Sequence, residues 1–196
     1  MIKRPNYGIF NIPCQWRYDN PMSTQRLFFA LWPDEPVRER LHAAARELVP
    51  PGARAVAPDS IHLTLLFIGS ADAARRTCLE QAADGIKGSG FTFTLDQAGF
   101  WRKPQILWLG CAAPPAPLLD LVQGLTEGTG QCGVETEARP YQAHVTLARK
   151  VRTGPPAELP IEPIVWPVER FCLVESHTDP EGVRYRTLRF WSLNES

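Results

Sequence analysis

Long apolar runs are missing from this chain. None approaches the ~18 residues that a membrane-spanning helix needs, so the sequence offers no transmembrane candidate. Net charge is missing too, because 21 Lys and Arg balance 21 Asp and Glu. A broad electrostatic clamp on long nucleic acid requires a basic excess. That class is set aside, while a short, end-directed or mononucleotide ligand stays open. Cys-x-x-Cys spacing is also absent. The five cysteines, Cys14, Cys78, Cys111, Cys132 and Cys172, are scattered and odd in number. This argues against a disulfide framework or a zinc site and for a reduced, cytoplasmic setting. Behind Lys3 and Arg4 there is no continuous apolar segment of the kind a signal peptide carries. Met22 opens MSTQRLFFALW like a natural start, so residues 1–21 read as an extension and 22–196 as a single domain.

What is present is an ordinary globular composition, 44% hydrophobic, which does not indicate disorder. LFFALW, 27–32, reads as a buried strand. Asp34 can cap a helix over 35–48, with Pro36 in its first turn, Val37, Leu41, Ala44 and Leu48 at helical spacing, and Pro50-Pro51-Gly52 as the stop. IHLTLLFI, 61–68, reads as a strand with Ile61, Leu63, Leu65 and Phe67 on one face and His62, Thr64 and Leu66 on the other. Ser70 can cap a second helix carrying Ala74, Cys78, Ala82 and Ile86. Further strands are expected at 91–95, 105–110 and 143–149, and a helix at 118–125. Gly128 to Gly133 reads as a loop, 154–167 as a proline-rich connection, and 170–176 with 184–193 as a closing hairpin.

Two features carry the chemistry. His-x-Thr-Leu occurs twice, at His62 and at His144, each time inside an apolar strand. The elements around them repeat as well: strand, helix, His-x-Thr strand. A repeat of this kind predicts two lobes related by a pseudo-two-fold axis, with the His-x-Thr faces meeting across a shared cleft. In a strand, residues two apart share a face. Each motif therefore presents one imidazole and one hydroxyl, while Leu63, Leu65, Val145 and Leu147 anchor the other side. Two imidazoles and two hydroxyls suit a small anion such as a phosphate diester: hydroxyls bind the non-bridging oxygens, one ring accepts a proton from water, and the other gives one to the leaving oxygen. The ordinary histidine pKa of about 6.5 makes both forms accessible near neutrality. No carboxylate or thiolate set accompanies the pair, so a metal site is not predicted. His42 and His177 read as structural and surface residues.

At these motifs the sequence resembles the 2H phosphoesterase superfamily. Within it the chain is similar to the RNA 2′,3′-cyclic phosphodiesterase family, also called the LigT-like or 2′-5′ RNA ligase family. The resemblance runs from RLFFALWPDEPVRERL through IHLTLLFIG, ILWLG and AHVTLAR to LVESHTDPEGVRYRTLRFWSL. It implies a bilobal α+β fold of two pseudo-symmetric lobes, each an antiparallel sheet with flanking helices, and a central cleft. It further implies metal-independent, cofactor-free hydrolysis of RNA 2′,3′-cyclic phosphate ends or cyclic nucleotides to 2′-phosphates, with 2′-5′ ligation in some members. By position His62 corresponds to the proton donor, His144 to the proton acceptor, and Thr64, Thr146 and Arg149 to phosphate contacts. Ala143 stands where the family usually has proline. Simple alternation aims Arg149 away from His144, so it reaches the site only if the strand ends or bulges near Ala148. Phe28, Phe29, Trp32, Phe100 and Trp101 are candidates to stack on a base. Arg102-Lys103, Arg139 and Arg149-Lys150 are candidates to guide an RNA end. Other cyclic phosphates, 2′-5′ oligonucleotides and non-catalytic RNA-end binding are the alternatives. A monomer is expected.

Overall fold

The computed structural model describes residues 24–135, 139–152, 161–180 and 182–193. The sequence-predicted extension, residues 1–21, lies outside them. In chain order the elements are β1 (Gln25–Leu31), α1 (Glu35–Leu48), β2 (Arg54–Ala55), β3 (Leu63–Ala71), α2 (Ala73–Asp84), β4 (Phe91–Leu95), β5 (Gln97–Trp101), β6 (Ile106–Gly110), α3 (Ala116–Gly130), β7 (His144–Arg149), β8 (Ile164–Val168), β9 (Arg170–Asp179) and β10 (Gly182–Ser192).

The main sheet is antiparallel, in the order β10-β9-β1-β3-β7-β6-β5, with β2 attached to β7; β4 and β8 form a separate pair. The unit β1–α1–β3 is echoed by β6–α3–β7, and β3 meets β7 at the centre. The repeat read from the sequence is therefore a repeat of topology. The junction is narrow, because among the described residues Leu63 opposite Val145 is the only pairing of β3 with β7.

One face of the sheet carries the main core. Leu27, Phe29, Leu31, Leu63 and Val145 pack there against Val37 and Leu41 of α1, Leu79 of α2, Leu121 and Leu125 of α3, and Phe93 and Trp166 of the β4–β8 pair. The other face holds a smaller cluster in the first lobe: Phe28, Ala30, Cys172 and Val174, flanked by Trp32 and Tyr185. Since Leu63 and Leu65 point into the main core, His62 and Thr64 must point to this second face.

Several expectations are corrected. Cys78 and Cys132 form a disulfide across 54 residues. Spacing along the chain gave no sign of it because α2 and the end of α3 become neighbours only in the fold. The Arg75 guanidinium reinforces that junction by donating to the carbonyls of Cys132 and Gly133. The cap of α2 is Asp72, not Ser70, since β3 runs on to Ala71 and the Asp72 carboxylate accepts from the Arg75 amide at 2.8 Å. The buried residues of α2 are Leu79 and Ala83, so its inward face is rotated from the predicted stripe. Helix α3 continues to Gly130, where a loop was expected from Gly128; the Thr129 hydroxyl satisfies the Leu125 carbonyl inside that last turn. Strand β5 was not foreseen. Strand β8 takes up the end of the expected connection 154–167, of which 154–160 lie outside the described residues, and its Pro167 is tolerated because a two-stranded sheet leaves every strand an edge. Phe67 is 47% exposed rather than buried. Register shifts between β1 and β3 leave Leu65 and Ile68 without partners in the pairing, so alternation breaks and Ile68 turns inward instead.

Candidate active site

The β3–β7 junction builds the site. Leu63 pairs with Val145 in an antiparallel register. Stepping one residue out on either side sets His62 across from Thr146 and Thr64 across from His144. All four side chains line one cavity of about 330 Å³. That volume lies in the range of small-molecule sites. Tyr141 braces the arrangement: its hydroxyl donates to the Thr64 carbonyl at 3.0 Å, so the segment leading into β7 is tied to β3.

Both rings are held the same way. Nδ1 of His62 lies 2.8 Å from the Ser60 carbonyl, and Nδ1 of His144 lies 2.8 Å from the Gln142 carbonyl. A carbonyl can only accept, so each Nδ1 carries the hydrogen and donates. In the neutral ring Nε2 is then left with its lone pair for proton transfer. The carbonyl is two residues upstream in both motifs, a second echo of the repeat.

Their surroundings differ. His62 sits among three aromatic rings: Trp32 stacks on it at 5.1 Å and 4°, Phe28 lies at 5.0 Å, and Tyr185 meets it edge to face at 4.9 Å. Among the described residues His144 has a single aromatic neighbour, Trp101, at 4.6 Å and 74°. Trp101 leans on Trp108, and Trp108 lies so close over Gly99 that a Cβ there would be 2.1 Å from its ring. Burial accordingly pushes the His62 imidazole down to about 4, with smaller contributions from the Arg149 and His144 charges; the Ser60 bond opposes this. His144 is lowered as well, first by burial and then by Arg149, with the Gln142 bond opposing.

Arg149 lines the same cavity. The reason is a bulge. Leu107 pairs with Ala148 and Trp108 with Thr146, leaving Leu147 without a partner on β6. Leu147 and Ala148 are both buried, and Arg149 comes round to the cleft side. Lys150 follows in left-handed backbone, φ 57°, which breaks alternation again and lets it line the cavity too. Arg54 was missed in the sequence; β2 pairs it with Arg149, and it joins the cavity wall. Tyr185 and Ser60 were also missed. No signal in a single sequence marks Arg54 or Tyr185, which come from distant strands.

Of the stacking candidates, Trp32, Phe28 and Trp101 stand beside the histidines. Phe29 is fully buried against Phe171 and Trp191, and Phe100 packs on the main core, so both are structural. His42 is half-buried in α1, and His177 lies at the surface, 3.0 Å from Glu175.

Two lobes that each deliver one His-x-Thr strand to a common cavity define a 2H phosphoesterase. More narrowly, the chain matches the 2'-5' RNA ligase superfamily over residues 32–180 and belongs to it. It is 34% identical over 172 residues to the RNA 2',3'-cyclic phosphodiesterase of Escherichia coli (strain K12), an alignment covering 87% of this chain and 98% of that protein. The RNA 2',3'-cyclic phosphodiesterase of Thermus thermophilus is 31% identical over 182 residues, covering 86% and 90%. Among solved structures, E. coli LigT complexed with 3'-AMP superposes with a TM-score of 0.80 at 33% identity, over 88% of this chain and all of that one. No helix among the described residues is long and apolar enough to cross a membrane.

Proposed function

We propose that this protein hydrolyses RNA 2′,3′-cyclic phosphate ends to 2′-phosphates by acid–base catalysis between His62 and His144. The observation that carries this reading is the gathering of two Nε2-presenting imidazoles and two hydroxyls around one cavity with Arg149 on its wall. Thr64, Thr146 and Arg149 bind the non-bridging phosphate oxygens. His144, the less enclosed ring, accepts a proton from the attacking water. His62, shielded by Trp32, Phe28 and Tyr185, donates to the departing 3′-oxygen. The P–O3′ bond breaks as the new P–O bond forms, and the 2′-ester remains.

The donor must be charged, yet burial alone would keep His62 neutral at pH 7. The substrate resolves the conflict. A phosphate monoanion at ~4 Å stabilises an imidazolium by roughly 4 kcal/mol at an effective dielectric of about 20. That is about three pKa units, enough for His62 to hold its proton near pH 7 when the phosphate is bound. The relatives named above are called RNA 2',3'-cyclic phosphodiesterases, which agrees with this choice of substrate. A monomer is proposed with this activity; size-exclusion chromatography with light scattering tests it. A cytoplasmic setting is proposed with it, and there the Cys78–Cys132 pair would be open to reduction.

The test is turnover of a 2′,3′-cyclic nucleotide in excess EDTA, with the product identified by phosphorus NMR. A 2′-phosphate is expected, and His62→Ala and His144→Ala should each cost ~10² or more in kcat. A 3′-phosphate product, or a folded histidine variant with wild-type rate, would overturn the assignment.

A further inference from the structure

The chain is electrically neutral overall, but its charge is not evenly spread around the cavity mouth. Three segments converge at the end of β7. Arg54-Ala55-Val56-Ala57 runs along one side, with Ala55 opposite Ala148 and the Val56 amide bonded to the Leu147 carbonyl. The β5–β6 turn, Arg102 to Gln105, lies on the other side, where the Val151 amide donates to the Gln105 carbonyl. Arg149 to Arg152 sits between them. Together these twelve residues hold Arg54, Arg102, Lys103, Arg149, Lys150 and Arg152 and not one Asp or Glu. All six cations are exposed. Neighbouring strands are ~4.8 Å apart, so the backbone bonds gather the segments that carry these six cations at one end of β7.

The group has an inner and an outer half. Arg54, Arg149 and Lys150 line the cavity, whereas Arg102, Lys103 and Arg152 do not. Of the inner half, Arg149 is assigned above to the reacting phosphate. The outer half has no part in that chemistry, yet it continues the same charge outward across the β5–β6 turn. A 2′,3′-cyclic phosphate terminates a strand, so any further nucleotides can extend only to the 5′ side. Their phosphates need a cationic track that starts at the cavity.

Resting on the activity proposed above, we infer that Arg102, Lys103 and Arg152 form a track for the RNA strand 5′ of the cyclic end, which makes the oligonucleotide, not the mononucleotide, the preferred substrate. Specificity here is for length and charge, since the track offers side-chain cations and no built set of base-edge partners. Arg139, the other candidate guide, precedes β7 and is not among the residues that line the cavity.

The test compares the wild type with the triple variant Arg102→Gln, Lys103→Gln, Arg152→Gln on two substrates, 2′,3′-cyclic UMP and a pentauridylate ending in a 2′,3′-cyclic phosphate. These side chains are exposed, so the fold is expected to survive, and circular dichroism checks it. At low salt the variant should raise KM for the pentamer about tenfold and change KM for cyclic UMP less than twofold. Binding of a fluorescein-labelled, 3′-phosphorylated decauridylate supplies a readout that does not depend on turnover. Each single-strand phosphate contact contributes ~0.7 to the slope of log K against log salt, so the variant should flatten that slope by about 2. Equal loss on both substrates, or an unchanged decamer slope, would overturn the track. Failure of the wild type to turn over either substrate would instead strike at the proposed activity, and the binding slope would still judge the track.

Discussion

Enclosure of His62 should make the fold sensitive to acid in a way that one substitution removes. Folded His62 takes a proton only near pH 4, whereas in the unfolded chain it does so near 6.5. Between those values the unfolded state binds more protons, so stability falls as pH drops through the window; above 6.5 neither state is charged and nothing is lost. A difference of about 2.5 units corresponds to roughly 3 kcal/mol between pH 7 and pH 4. Against a typical domain stability of about 5–15 kcal/mol, that is a large share. His62→Asn keeps an amide able to donate to the Ser60 carbonyl and does not titrate. Urea unfolding of both proteins at pH 7, 6, 5 and 4 isolates the ring, because His144 is common to both. The wild type should lose about 3 kcal/mol more than the variant across the series, with the steepest divergence between pH 6 and 4.5. Parallel curves, or a His62 imidazole that titrates at 6.5 by NMR in the free protein, would refute the account of its burial.

Two further outcomes are expected. Trp32→Ala removes the ring stacked flat on His62 and lets water in, so the His62 midpoint should climb from about 4 towards 6.5 by NMR; an unmoved midpoint would mean that Trp32 does not supply the burial. Reducing the Cys78–Cys132 bridge, or replacing Cys78 with Ser, frees a loop of 54 residues and should lower unfolding stability by up to about 4 kcal/mol in the chain-entropy account. A thiol titration of the unreduced folded protein that finds both cysteines free would remove the bridge altogether.

The sequence was most legible where signals were local. Helix α1 matches its predicted bounds because Asp34, Pro36, the Val37–Leu41 stripe and Pro50 all act within a few residues of one another. Strand β4 matches for the same reason, its alternation being clean. Legibility failed where a partner decided the outcome. Gly128 looked like loop material, yet it lies inside α3 beside Ala82 of α2, and the packing of the two helices rather than local propensity keeps that turn helical. In β5, Gly99 leaves the room that Trp108 fills. The disulfide joins residues that only the packing of α2 beside α3 brings together. At the site, His62, Thr64, His144 and Thr146 could be read because strand period 2 is a local rule. The place of Arg149 could be stated only as a condition, since the bulge at Leu147 depends on register with β6.

The single Leu63–Val145 pairing has a consequence for direction. A dyad through one residue pair makes the two histidines interchangeable by rotation, but the reaction is not: it has a water on one side and a leaving alkoxide on the other. A perfectly duplicated frame would accept its substrate in two opposite orientations and run only one of them well. What ends the ambiguity is everything the duplication failed to copy, the three rings around one imidazole, the lone indole beside the other, and the cations gathered at one end of β7. Polarity in this cleft is carried by its departures from symmetry, and it is there, rather than in the matched motifs, that substitutions would be expected to reverse or blur the chemistry.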